Sequence, residues 1–113
     1  MSAPSAAPAG GSGSFTLVAA GAGRLAAQGP LTFASARRAR ELGRRALQEG
    51  TAQGLLIDCG AVSSADSAGL AVLIDWLALA RAAGRPLRFT SLPPGLTALG
   101  RISEVEELLE RGV

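Results

Sequence analysis

The stretch that most constrains the fold runs from Gly54 to Leu92. It opens with "GLLIDCGAV" at 54–62, a short unbroken apolar run. Its length and its Ile, Leu and Val content predict a central strand buried on both faces, with Asp58 near the sheet edge. The segment at 67–83, "SAGLAVLIDWLALARAA", is long enough for a helix and is closed by Gly84. "RPLRFTSL" at 85–92 predicts the next strand, with Pro86 limiting ladder bonds at its start. Strand, helix and strand in succession imply a parallel pair joined by a crossover, and so an α/β layer architecture.

The flanks extend this pattern. "FTLVAA" from Phe15 suits a strand, "GAG" at 21–23 a hairpin turn, and "RLAAQG" a second, weaker strand. "GPLTFASARRARELGRRALQEG" turns helical, with Thr32 or Ser35 as its cap and Gly50 as its end. After Pro93-Pro94-Gly95, "LTALGRI" predicts a short helix. "SEVEELLE" at 103–110 predicts another, with Ser103 and Glu106 as a capping box. The expected fold is a mixed four- to five-stranded sheet with helices packed on it. It occupies residues 15–113, behind a segment, 1–14, that after Met1 holds only Ala, Pro, Gly and Ser and reads as a disordered tail.

Composition removes most chemistry. The 113 residues suit one domain and include no histidine and one cysteine. No Ser-His or Cys-His pair can form within the chain, and no zinc cluster is present. No phosphate-cradling loop of the P-loop type occurs. No catalytic residue, metal or cofactor is therefore expected. Cys59, in an apolar run, reads as a small core residue. All eleven basic residues are arginine, and Arg37, Arg38, Arg40, Arg44 and Arg45 cluster on one predicted helix. With a net charge of only +2 and few aromatics, that cluster reads as a solvated helix face rather than a nucleic-acid site. No basic n-region with a leucine-rich core opens the chain, and no run is long enough to span a bilayer, so a cytoplasmic protein without direct membrane insertion is expected.

Two features point to binding. The first is the 67–83 helix. Leu70, Leu73, Ile74 and Leu77 form one stripe at about 100° per residue. Val72, Leu79 and Ala83 lie on roughly the opposite side, Trp76 sits between the two, and Asp75 and Arg81 are the only charges. A neighbouring helix can cover such a second face, or a partner protein can. On the partner reading Val72, Trp76 and Leu79 form a docking patch, and Trp76→Ala weakens a complex more than the free domain. The second feature is Asp66-Ser67 at the helix mouth. Both suit an N-cap, and a hydroxyl there is also open to a kinase.

"LLIDCGAVSSADSAGLAVLI" resembles the signature of STAS domains: an apolar strand ending in Asp, a loop, then Asp-Ser/Thr-Ser/Ala-Gly-Leu opening a helix. The resemblance covers roughly residues 15 to 110. In partner-switching members, the anti-sigma-factor antagonists, the phosphorylated serine directly precedes Gly-Leu. Here that position is Ala68, and Ser67 stands one residue earlier. Ser67-Ala68-Gly69-Leu70 is similar instead to the MlaB branch. That resemblance implies a non-catalytic accessory subunit of a phospholipid ABC transporter that maintains outer-membrane lipid asymmetry. Such a subunit binds the transporter's ATPase subunit, in complex with an inner-membrane permease, and is held peripherally at that membrane. The implied contact residues are Ser63, Ser64, Asp66, Ser67, Ala68, Val72, Trp76 and Leu79. The alternative implied by the wider family is an anti-sigma-factor antagonist, paired with an anti-sigma serine kinase and phosphorylated at Ser67.

Overall fold

A computed structural model of the chain describes residues 14–49 and 54–96. Two short strands, β1 (Thr16–Ala19) and β2 (Arg24–Leu31), form an antiparallel hairpin. Its turn places Gly21 and Gly23 at positive φ, where a side chain would be strained. Helix α1 (Ala36–Gln48), strand β3 (Leu55–Ala65), helix α2 (Ser67–Ala82) and strand β4 (Leu87–Thr90) follow. The sheet order is β1-β2-β3-β4, with β2, β3 and β4 mutually parallel. The helix expected at 103–110, all but the first residue of the one expected at 96–102, and nearly all of the 1–14 tail lie outside the described residues; Leu96 itself is helical and buried.

This strand order decides where the helices go. Two successive crossovers of the same hand, β2-α1-β3 and β3-α2-β4, place both helices on one side of the sheet. The other face stays open among the described residues. The expectation that β3 is buried on both faces is therefore corrected. Ile57, Cys59 and Val62 are buried, whereas Asp58 and Gly60 between them are exposed. Asp58 also lies mid-strand, paired with Ala26 and Thr90, rather than near the sheet edge. The shift from 57 and 59 to 62 follows a bulge: two steps along β2, from Ala26 to Gln28, face three along β3, from Asp58 to Ala61. Cys59 lies in the core as the sequence predicts, and burial, with Asp58 nearby, pushes its thiol up to about 12.

The core lies between the sheet and the helix pair. Trp76 is fully buried there, against Phe15 and Phe89 with ring centroids 6.2 and 6.5 Å away. α1 meets the indole at Gly43, where a Cβ would overlap it. The buried arc of α2 is thus centred on Leu73, Trp76 and Ala80, rotated from the stripe that periodicity picked out. Its solvent side carries small residues, Ala71, Ala78 and Ala82. Asp75, the lone acid of α2, pairs with Arg40 of α1 at 3.3 Å, across the outside of the helix pair. Of the other arginines of α1, Arg37 and Arg45 are exposed, Arg38 donates from Nε to the Phe15 carbonyl at 2.8 Å, and Glu41 is bonded to both Arg44 and Arg45.

Candidate functional site

Two loops meet where parallel strands β2 and β3 end, the edge at which open α/β sheets gather their binding residues. Asp66 joins them. One carboxylate oxygen, Oδ1, accepts the Gly69 N–H at 3.0 Å and caps α2. The other, Oδ2, accepts the Phe33 N–H at 3.1 Å from the loop between β2 and α1. That loop is fastened a second time. The Ser35 hydroxyl accepts the Thr32 N–H at 3.0 Å and donates to the Pro30 carbonyl at 2.7 Å. Ser35 precedes α1, as the sequence predicts, but its side chain makes no capping bond to the helix. It holds the loop instead.

The product of these bonds is a fixed turn with Phe33 on its outside. Phe33 is 83% exposed, the most exposed large hydrophobic residue among those described. Ser67 is exposed in the first turn of α2, and its hydroxyl has no hydrogen bond among the described residues. Sequence reasoning missed Phe33. The available signal was that Phe33 precedes the helix and falls outside the period of its buried positions, Ala39, Gly43 and Leu47.

Phe33 N–H, then Gly69 N–H, hold the Asp66 carboxyl below its usual value of 3.8. A depressed folded value stabilises the fold above the ordinary carboxylate range, and this contribution is lost as pH falls through the folded value. Asp66→Asn keeps a capping oxygen but no charge. Wild type is expected to be the more stable at pH 6 and to lose that advantage as pH falls below 3.8 and through the lower folded value. Asp66→Ala, which removes both acceptors, is expected to cost about 1 kcal/mol. Urea unfolding across pH measures both; a constant gap between wild type and Asp66→Asn would contradict the ionised cross-link.

The structure brings together only part of the sequence-predicted site. Asp66, Ser67 and half-buried Ala68 lie at the mouth of α2. Ser63 and Ser64 are exposed, but they belong to the end of β3 rather than to a loop. Val72 and Trp76 do not belong to an exposed patch: both have 0% exposure, because α1 lies beside α2 and covers that side. Leu79 is half-buried and packs on the core. It lies about 18 Å along the helix from Ser67 at 1.5 Å per residue. Among the described residues, no helix is long and apolar enough to cross a membrane.

The family model described as "Mlab, STAS domain" matches residues 16–110. No curated protein sequence is detectably similar to the chain. Among solved structures, the anti-sigma factor antagonist SpoIIAA in its unphosphorylated form is similar at a TM-score of 0.59 and 14% identity, over 78% of this chain and 82% of that one. The structure of SLC26A9 is similar at a TM-score of 0.62 and 16% identity, over 74% of this chain but 16% of that much longer one. At these identities the likeness shows the shared fold.

Proposed function

Since the chain belongs to the MlaB-type STAS domain family, we propose that it is a non-catalytic accessory subunit of a phospholipid ABC transporter. On this reading it docks on the ATPase subunit through the pole formed by Asp66, Ser67 and Phe33, with Ser63, Ser64 and Ala68 at its margin. It works in the cytoplasm, held at the inner membrane through its complex with ATPase and permease. The observation that carries the reading is the Asp66 cross-link, which presents an exposed aromatic and a free hydroxyl on a preorganised turn. A rigid aromatic anchor loses little entropy on docking, and such residues supply much of the energy of protein interfaces.

A second reading is favoured by the free hydroxyl of Ser67 at a helix N-terminus, which suits a phosphorylated antagonist of an anti-sigma kinase. Against it stand Ala68 before Gly-Leu and the ionised Asp66 beside Ser67, whose charge a phosphate would oppose.

Affinity purification of the full chain from native membranes in mild detergent separates the two. An ABC ATPase with its permease is expected to co-purify. Phe33→Ala and Ser67→Asp are each expected to weaken that complex by tenfold or more, about 1.4 kcal/mol, while leaving unfolding of the free protein unchanged. Recovery of a serine kinase, with phosphate on Ser67, would replace the first reading with the second.

A further inference from the structure

The end of the sheet remote from Asp66 carries a separate feature. Where β2 and β3 begin, α1 leaves the β1–β2 hairpin partly uncovered, and a cleft of about 660 Å³ remains. Its floor is apolar, built from Leu17, Leu25, Leu42 and Leu55. These four are partly buried and pack on the core below. The charged residues of the lining are one-sided: Arg24, Arg45 and Arg85 against Glu49. Small-molecule sites are of this kind, concave and mostly apolar, roughly 300–1,000 Å³, with a few polar groups that orient the ligand.

The three arginines differ in what they already hold. Arg85 closes the C-terminus of α1, donating from Nη1 to the carbonyls of Leu47 at 2.6 Å and Glu49 at 3.2 Å, so it forms a fixed wall. Arg45 gives its Nε to Glu41 at 3.2 Å, and its terminal nitrogens make no hydrogen bond among the described residues. Arg24 is exposed at the start of β2, with no acidic partner among the described residues. Two arginines of the lining thus keep guanidinium donors to spare beside four leucines. A bare anion would leave that floor wet, and an uncharged chain would leave the guanidiniums unanswered.

We propose that this cleft binds an anionic amphiphile, its linear acyl chain on the leucine floor and its carboxylate or phosphate head on Arg24 and Arg45. The site is independent of the docking pole, because the two occupy opposite ends of β3.

The test is titration of the full chain with dodecanoate and dodecyl phosphate below their micelle concentrations, followed by amide NMR shifts and calorimetry. One-to-one binding is expected, with shifts at Leu25, Leu42 and Leu55, and the stronger of the two identifies the head group. Acetate and inorganic phosphate test the head alone, and dodecanol the tail alone; each is expected to bind at least tenfold more weakly. Arg24→Glu with Arg45→Gln alters two exposed side chains, with loss of the exposed Arg45–Glu41 pair, and is expected to weaken binding about tenfold. Ala19→Trp, at an exposed position in the cleft lining, is expected to abolish binding by filling the space while unfolding stays cooperative. Failure of both amphiphiles to bind, dodecanol binding as tightly as dodecanoate, or undiminished binding by the Arg24/Arg45 variant would each overturn the proposal.

Discussion

Trp76→Ala is expected to lower the stability of the free protein by about 3–5 kcal/mol, the range for removing a large buried aromatic. Single domains are stable by roughly 5–15 kcal/mol, so the variant is left marginally folded. The loss is large because the indole contacts several elements at once: Phe15 ahead of β1, Phe89 in β4, and α1 at Gly43. One effect works the other way. The indole Nε1–H is buried without an acceptor among the described residues, and leaving such a donor unmet costs about 1–3 kcal/mol. Trp76→Phe removes that donor and keeps a ring, so it is expected to cost much less than Trp76→Ala. Gly43→Ala provides a check from the other helix. Alanine gains about 0.8–1.0 kcal/mol of helix propensity over glycine. Its Cβ would overlap an indole held by Phe15 and Phe89, and overpacking costs about 1–3 kcal/mol. A net loss is expected, smaller in the Trp76→Phe background where the ring is narrower. Urea unfolding of the four variants measures the coupling. If Trp76→Ala left the free protein as stable as wild type, the residue would belong to an interface after all.

Gly69→Ala is expected to destabilise by about 2–3 kcal/mol, the upper part of the overpacking range, and also to abolish partner binding. Gly69 lies in the first turn of α2, and a Cβ there would overlap the carbonyl oxygen of Leu31 at the end of β2. That obstacle is backbone, so it cannot rotate away as a side chain can. Accommodation must move the start of α2 off the sheet, which stretches the bond from Phe33 N–H to Asp66 and releases the loop that carries the aromatic. Stability and binding should therefore fall together, in contrast to Phe33→Ala, where only binding falls. Hydrogen exchange at the Phe33 amide reads the released bond directly. Slow exchange in Gly69→Ala, with wild-type stability, would show that the close approach is not limiting.

Gly69 also explains a motif residue that sequence alone leaves as a letter. The Asp-Ser-Ala-Gly-Leu string was legible as a helix mouth, because Asp66 is a good cap and an apolar segment follows. Its glycine has a purpose only once α2 is laid across the end of β2. Phe33 was legible only as an apolar residue outside the period of the helix that follows, and its link to Asp66 was not legible. Asp66 meets it across 33 positions of sequence, and no local pattern reports such a contact.

Element types and their order could be read from the chain itself. Strand-length apolar runs, a helix-length segment capped by Asp66 and closed near Gly84, and turn glycines at 21 and 23 are local signals, carried by propensity and periodicity. The sidedness of those elements could not. β3 reads as apolar throughout, yet equal-handed crossovers put both helices on one side and leave Asp58 and Gly60 exposed. α2 reads as having an apolar second face, yet α1 covers it, and the gap left by Gly43 admits Trp76 to the centre of the core. A helix with two apolar sides is compatible with a second helix or with a partner, and its own sequence is the same in both cases. Only the position of α1, set by the strand order, decides which one covers it.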